Sequence, residues 1–165
     1  MRIVDPMIQE LEQEAVTTRR VLERLPAGKL SWRPHQKSMS LGQLGLHVAQ
    51  TPGSVAKLAA ASIDTPPTFQ QAEATSRDEM LTALDASVAE AKAALNGWSD
   101  AQMMETWSMT AGGQTLMAVP RVGLLRAVML NHWYHHRGQL LVYLRLLGES
   151  VPSVYGPTAD ESPFM

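Results

Sequence analysis

Three of the chain's five histidines, His132, His135 and His136, fall within residues 131–136, in the stretch NHWYHHRGQLLVYLRLLG. On a helix advancing about 100° per residue, His136 lies about 40° from His132, and Gln139 lies about 20° away on the other side. Leu125, Val128 and Tyr143 fall within about 40° of the same line, so the imidazoles share a stripe with apolar residues. His135 stands about 60° off that line and Arg137 about 140°, so Arg137 should point away from any inward site. An i,i+4 pair brings two imidazoles near one point. Neutral imidazoles bind divalent ions such as Zn²⁺ and Ni²⁺, but two need a third donor. His47 is the obvious one, three residues after Leu44 and four before Thr51 on an apolar stripe. Three histidines on neighbouring helices would leave a coordination position for water or substrate, which is catalytic rather than structural geometry.

The bland alternative is a core histidine satisfied by hydrogen bonds, since a helical His-x3-His pair is common by chance. His35, beside Pro34, reads as a surface or loop-packing residue. Tyr143 reads as core. Trp32, Trp98, Trp107 and Trp133 could line a pocket, although packing is the default for each.

The elements that must position these groups are mostly helices. Ile8, Leu11, Ala15, Val21, Leu22 and Leu25 recur at helical spacing and predict an amphipathic helix over about 5–24, with Pro6 in its first turn. Residues 26–39 are a linker in which Pro26, Gly28 and Pro34 forbid a regular element. Ser40 with Gln43 forms a capping box that opens a second helix carrying Leu41, Leu44, His47 and Val48. Pro52 and Gly53 interrupt it; the helix either bends and runs to about Ala61 or stops there. Residues 62–75 form a loop. Ser76 with Glu79 gives a second capping box, and Met80, Leu84, Val88, Ala91 and Leu95 define a third helix. Residues 98–120 lack helical spacing. Gly112-Gly113 could turn a hairpin between WSMT and TLMAV, and a long ordered loop is equally compatible. The last helix runs from near Pro120 to about Leu147, with Gly148 as its left-handed stop. The tail is irregular, with Tyr155 and Phe164 available to pin it. The expected fold is all-α, a four-helix bundle with an irregular or short-hairpin segment before the last long helix. Residues 1–165 read as one domain.

Composition excludes more than it assigns. The chain has no cysteine, so disulfides, thiolate ligands and a cysteine nucleophile are excluded together. With 14 basic and 16 acidic residues, it has no nucleic-acid footprint. The start, MRIVDPMIQELEQE, turns acidic at once and does not read as a secretory signal. No apolar run of about 20 residues suggests a membrane span. A cytoplasmic location is therefore expected. Phosphate-loop, nucleophile-elbow, EF-hand and HExxH patterns are missing, as are the paired inward carboxylates of a di-iron bundle.

The segments WRPHQKSMSLGQLGLHVAQ (32–50), HWYHHRGQLLVYLRLLG (132–148) and VPSVYGPTADE (151–161) resemble the DinB-like superfamily, and the resemblance spans nearly the whole chain. It implies a four-helix bundle, often dimeric, with a metal held by three histidines. The family's first ligand matches His47, and its closing HxxxHRGQ segment matches His132, His136, Arg137, Gly138 and Gln139. His135 is not a ligand in that alignment. The resemblance implies one divalent metal ion per chain, commonly zinc or nickel. Some relatives are transferases or isomerases that use a low-molecular-weight thiol as cosubstrate.

The expected function is that of a metal-dependent enzyme acting on a small molecule, a hydrolase or a thiol-dependent transferase. His47, His132 and His136 would hold the ion, Gln139 would orient a ligand or close the pocket edge, and Asn131 or His135 would supply supporting hydrogen bonds. No residue stands out as a general base. The rival is a non-catalytic metal-binding or homodimeric assembly protein. Leu141, Val142 and Leu144 make the last helix apolar nearly all round, so the tail or a second subunit must cover it.

Overall fold

The structure, a computed structural model, describes residues 1–163. It is mostly helical. In chain order the elements are α1 (Val4–Glu23), α2 (Leu41–Leu58), α3 (Arg77–Gly97), α4 (Asp100–Met104), β1 (Thr106–Ala111), β2 (Gln114–Pro120), α5 (Arg121–Leu124), a π-helical segment (Leu125–Asn131) and α6 (His132–Leu146). The last three form one continuous rod. A single 3-10 turn, Ala27–Lys29, interrupts the linker that was expected to lack regular structure.

Serines start α2, α3 and α4 by accepting from otherwise orphaned amides. Ser40 and Gln43 make the reciprocal box: Gln43 N donates to Ser40 Oγ at 3.2 Å, and Ser40 N donates to Gln43 Oε1 at 3.0 Å. At Ser76 the box is only half made. Glu79 N donates to Ser76 Oγ, but the Glu79 carboxylate turns to Thr75 N and Thr75 Oγ1 instead. Ser99 and Gln102 make a full box that opens the short α4, an element the periodicity did not reveal.

Helix α2 lies between α3 and α6, and α1 completes the bundle against the same two partners. Leu41, Leu44, Leu84, Leu95, Leu140 and Leu144 are buried in the shared core. Each such side chain contributes roughly 1.5–3 kcal/mol by leaving water. Helix α2 approaches α3 closely at Gly53. A Cβ there would meet Ser87 O at 2.9 Å, and Gly53 N donates to Ser87 Oγ at 2.8 Å. The neighbouring Pro52 is carried inside α2, which continues through it and ends at Leu58, short of Ala61. Proline cannot donate to the carbonyl four residues back, here that of Val48. The indole Nε1 of Trp133 on α6 donates to that oxygen at 2.8 Å.

Between α4 and the last rod the chain forms an antiparallel hairpin, the short-hairpin alternative of the expected fold, so the molecule is mostly helical rather than strictly all-α. Thr106 pairs with Pro120 and Met109 with Met117. Gly112 and Gly113 both have positive φ, +56° and +79°, the requirement of a two-residue type I′ turn. Ile63 pins the hairpin to the α2–α3 connection: its N–H donates to Ser108 O and its carbonyl accepts from Thr110 N, both at 2.9 Å. Buried Trp107 ties β1 to the end of α2 by donating to Leu58 O and Ala61 O. Pro120 ends β2 and caps the rod that starts at Arg121.

The tail returns across α1 and α6. Arg137 faces away from the histidines, but into a second buried site rather than into solvent: its side chain is 1% exposed and pairs with Glu14 at 2.5 Å. It also donates to Thr18 Oγ1 and to Tyr155 Oη. Tyr155 Oη donates to Glu14 at 2.9 Å, so this tyrosine does anchor the tail. Phe164 lies outside the described residues. The tail leaves part of α6 uncovered: Leu144 is buried and Leu141 half-buried, whereas Val142 and Leu146 are exposed. Among the described residues no helix is long and apolar enough to cross a membrane.

Candidate metal centre

Helix α2 supplies His47 and α6 supplies His132 and His136. One ring nitrogen from each lies within 4.8 Å of the other two. His47 Nε2 and His132 Nε2 face each other at 3.2 Å. The His47 ring is edge-on to both partners, with centroid separations of 5.4 Å to His132 and 4.6 Å to His136. Trp133, held to Val48, fixes α6 against α2 one residue from each partner of the facing pair.

Two glutamines set the tautomers. His47 Nδ1 lies 3.2 Å from Gln71 Oε1, and His136 Nδ1 lies 2.7 Å from Gln139 Oε1. An amide oxygen only accepts, so each Nδ1 carries the proton and each Nε2 keeps its lone pair. Gln71 is oriented in turn by donating to Ala72 O, and Gln139 by its contact with His135 Nε2 at 3.2 Å. Burial, then the neighbouring imidazoles, holds the His47 pKa below its ordinary value of 6.5 and takes His132 to about 4. Burial also lowers His136. All three are therefore neutral donors at pH 7. Converging ring nitrogens, with the outward N–H bonded to an acceptor at His47 and His136, are what a divalent cation requires of an imidazole set, so these residues fit such an ion.

The remaining candidates fall around this trio. Gln139 bonds His136 directly. His135 is exposed; it meets the trio through Gln139 and through an edge-on contact with the His136 ring, centroids 5.0 Å apart. Asn131 is exposed, and among the described residues no hydrogen bond joins its side chain to the three imidazoles. His35 stays in the linker, where its Nδ1 accepts from Lys37 N. Sequence reasoning missed Gln71, which lies in an aperiodic loop and carries no spacing signal. It also missed the role of Trp133, for which Pro52 was a readable clue: a proline inside a helix implies an orphan carbonyl at position 48.

Beside the trio opens a cavity of about 520 Å³. One stripe of α2 forms its floor, from His47 through Thr51 and Val55 to Leu58. Val128 of the π-helical segment and His132 close one side, and Phe69 and Gln71 of the α2–α3 loop close the other. Phe69 is 73% exposed, with its ring centroid 6.1 Å from that of His47.

A mostly helical fold with an inter-helix trio of neutral histidines beside a cavity defines a bundle protein equipped to hold a divalent metal. The chain belongs to the DinB family, which it matches over residues 2–163. It is 27% identical over 164 residues to the uncharacterized protein YrdA of Bacillus subtilis, covering 96% of this chain and 91% of that one. Its fold is similar to the crystal structure of a DinB-like protein from Bacillus cereus, with a TM-score of 0.70 at 22% identity over 89% of this chain and 94% of the other. It is also similar to the DinB-like protein YjoA of Bacillus subtilis, with a TM-score of 0.68 at 19% identity over 95% and 99% of the two chains.

Proposed function

We propose that the protein is a divalent-metal-dependent enzyme acting on a small molecule, with one zinc or nickel ion held by His47, His132 and His136. The observation that carries this reading is the convergence of three neutral imidazoles at the end of a cavity large enough for a substrate. Such an ion would supply Lewis-acid chemistry, as hydrolases and low-molecular-weight-thiol transferases use it. Gln71 and Gln139 hold the Nδ1 protons and keep the ring planes fixed. The buried floor of α2 excludes water from one side of the reacting end. Among the described residues no carboxylate joins the trio or lines the cavity, so no protein carboxylate stands there as a general base. The test is elemental analysis and native mass of protein purified without an affinity tag, followed by assay against esters, amides, epoxides and thiol acceptors. One zinc or nickel per chain with turnover is expected. Metal-replete protein that turns over none of these substrates overturns the enzymatic reading.

A second reading has its own observation. Val142 and Leu146, one turn apart on α6, are 58% and 59% exposed. A homodimeric assembly protein would cover them with a second copy. Light scattering separates the readings: a strict monomer at micromolar concentration removes the assembly role.

A further inference from the structure

The cavity beside the histidines has a marked chemical bias. Besides His47 and His132, no titratable side chain lines it. Its polar members, among them Gln50, Ser54 and Gln70, are neutral and sit at the exposed rim. The Thr51 hydroxyl already donates to His47 O at 2.7 Å, which leaves it able to accept from a ligand but not to donate. The Gln71 amide is likewise engaged on both ends. Next to the histidines the walls are already apolar at Phe69 and Val128, and they stay apolar farther along at Val55 and Leu58.

The shape is equally defined. His47, Thr51, Val55 and Leu58 follow one another at helical spacing, so the floor runs along the axis of α2. The eleven steps from His47 to Leu58, at about 1.5 Å each, give a slot about 16 Å long. The histidines occupy one end. Phe69, a large aromatic left 73% exposed on the loop above, is placed to cover whatever lies in the slot.

We propose that this slot binds an uncharged, elongated, mainly apolar molecule. Its reacting head meets His47 and His132 beside Phe69, and its body lies along α2 toward Leu58. A charged group on that body would be desolvated against Val55 and Leu58 without a counter-charge, which disfavours it strongly. Phe69 is the specificity-determining residue for the apolar segment next to the reacting head. The slot itself stands on its lining; the orientation of the occupant, head to the histidines, rests on the metal-centre reading above.

The experiment uses the full tag-free chain, metal-free and zinc-loaded, and measures calorimetric binding of 1-butanol, 1-hexanol and 1-octanol. Affinity should rise about fourfold per methylene. In metal-free protein 8-hydroxyoctanoate, with a carboxylate at the far end, should bind at least about tenfold more weakly than 1-octanol. Phe69→Ala, on an exposed loop, should weaken 1-octanol several-fold, and Ser54→Asp should weaken it as well. Affinity independent of chain length overturns the slot, as does equal binding of the charged probe, or a series unchanged by both variants. For orientation, 1-octanethiol should outbind 1-octanol only in the zinc-loaded protein; equal binding there overturns the head-to-histidine placement. Failure of the chain to take up zinc overturns the metal centre and leaves the alkanol series to judge the slot separately.

Discussion

The indole Nε1 of Trp133 donates across the bundle to the carbonyl oxygen of Val48, the oxygen that Pro52 deprives of its helical partner. A backbone vacancy in α2 is thus filled by a side chain of α6, next to both His47 and His132. Removing the donor leaves a buried acceptor unsatisfied, at about 1–3 kcal/mol. Trp133→Phe should lower stability by at least that amount in urea unfolding. Pro52→Ala restores an N–H to the Val48 carbonyl, so in that background the cost of Trp133→Phe should shrink. Equal costs in both backgrounds would show that the indole contributes packing alone.

The trio and its glutamines make a graded prediction. His47→Ala, His132→Ala and His136→Ala should each abolish tight zinc binding while the far-ultraviolet circular dichroism stays helical. Gln71→Ala and Gln139→Ala should weaken zinc about 10–100-fold, the usual loss when a ligand imidazole loses its hydrogen-bond acceptor. His135→Ala should bind nearly normally, because His135 is exposed and none of its ring nitrogens joins the converging trio. Zinc competition titrations rank the six variants. Equal losses at His135 and His136 would mean that the wrong face of α6 had been assigned.

These contrasts also mark what could be read from the residues. The placement of His132 and His136 on one face of α6, and of His47 on the buried face of α2, followed from periodicity, because regular helices repeat. Gln71 did not, since a loop has no repeat to read. Across Leu125–Asn131 the constant step of 100° fails: a π-helical turn is wider and advances less per residue. The angular positions assigned to Leu125 and Val128 therefore carried an error that periodicity could not expose. The hairpin was legible only at Gly112-Gly113, where the backbone demands positive φ. Arg137 was correctly turned from the histidines, but its burial depended on Glu14 and Tyr155, partners far away in sequence.

That buried pair gives a stability prediction. Arg137→Met leaves Glu14 facing an apolar side chain, and breaking such a pair costs about 3–5 kcal/mol. The Glu14→Leu/Arg137→Met double variant should recover a large part of the loss, since neither charge then remains buried alone. Thermal unfolding of the two singles and the double measures the coupling. Strictly additive losses would show that the ion pair contributes nothing of its own.

The tail gives a pH prediction. The hydrogen bond from Arg145, then that from Val151 N, holds Asp160 below its ordinary pKa of 3.8. The hydrogen bond from Ser153 N, and next the Arg20 charge, holds Glu161 below 4.5. Depressed carboxylates stabilise the docked tail above their unfolded values and lose that contribution as pH falls through the folded ones. Hydrogen exchange of residues 150–161, corrected for intrinsic rates, should therefore show protection at about pH 6 that disappears below about pH 4. Arg145→Ala should move the release of the tail to higher pH.

The α2–α3 connection carries both Gln71, which steadies a histidine, and Phe69, which roofs the slot, two residues apart. Ordering that strand of chain for one guest therefore prepares it for the other. Thermodynamic reciprocity then requires that, by whatever factor a slot occupant tightens the hold on zinc, zinc tightens the hold on the occupant.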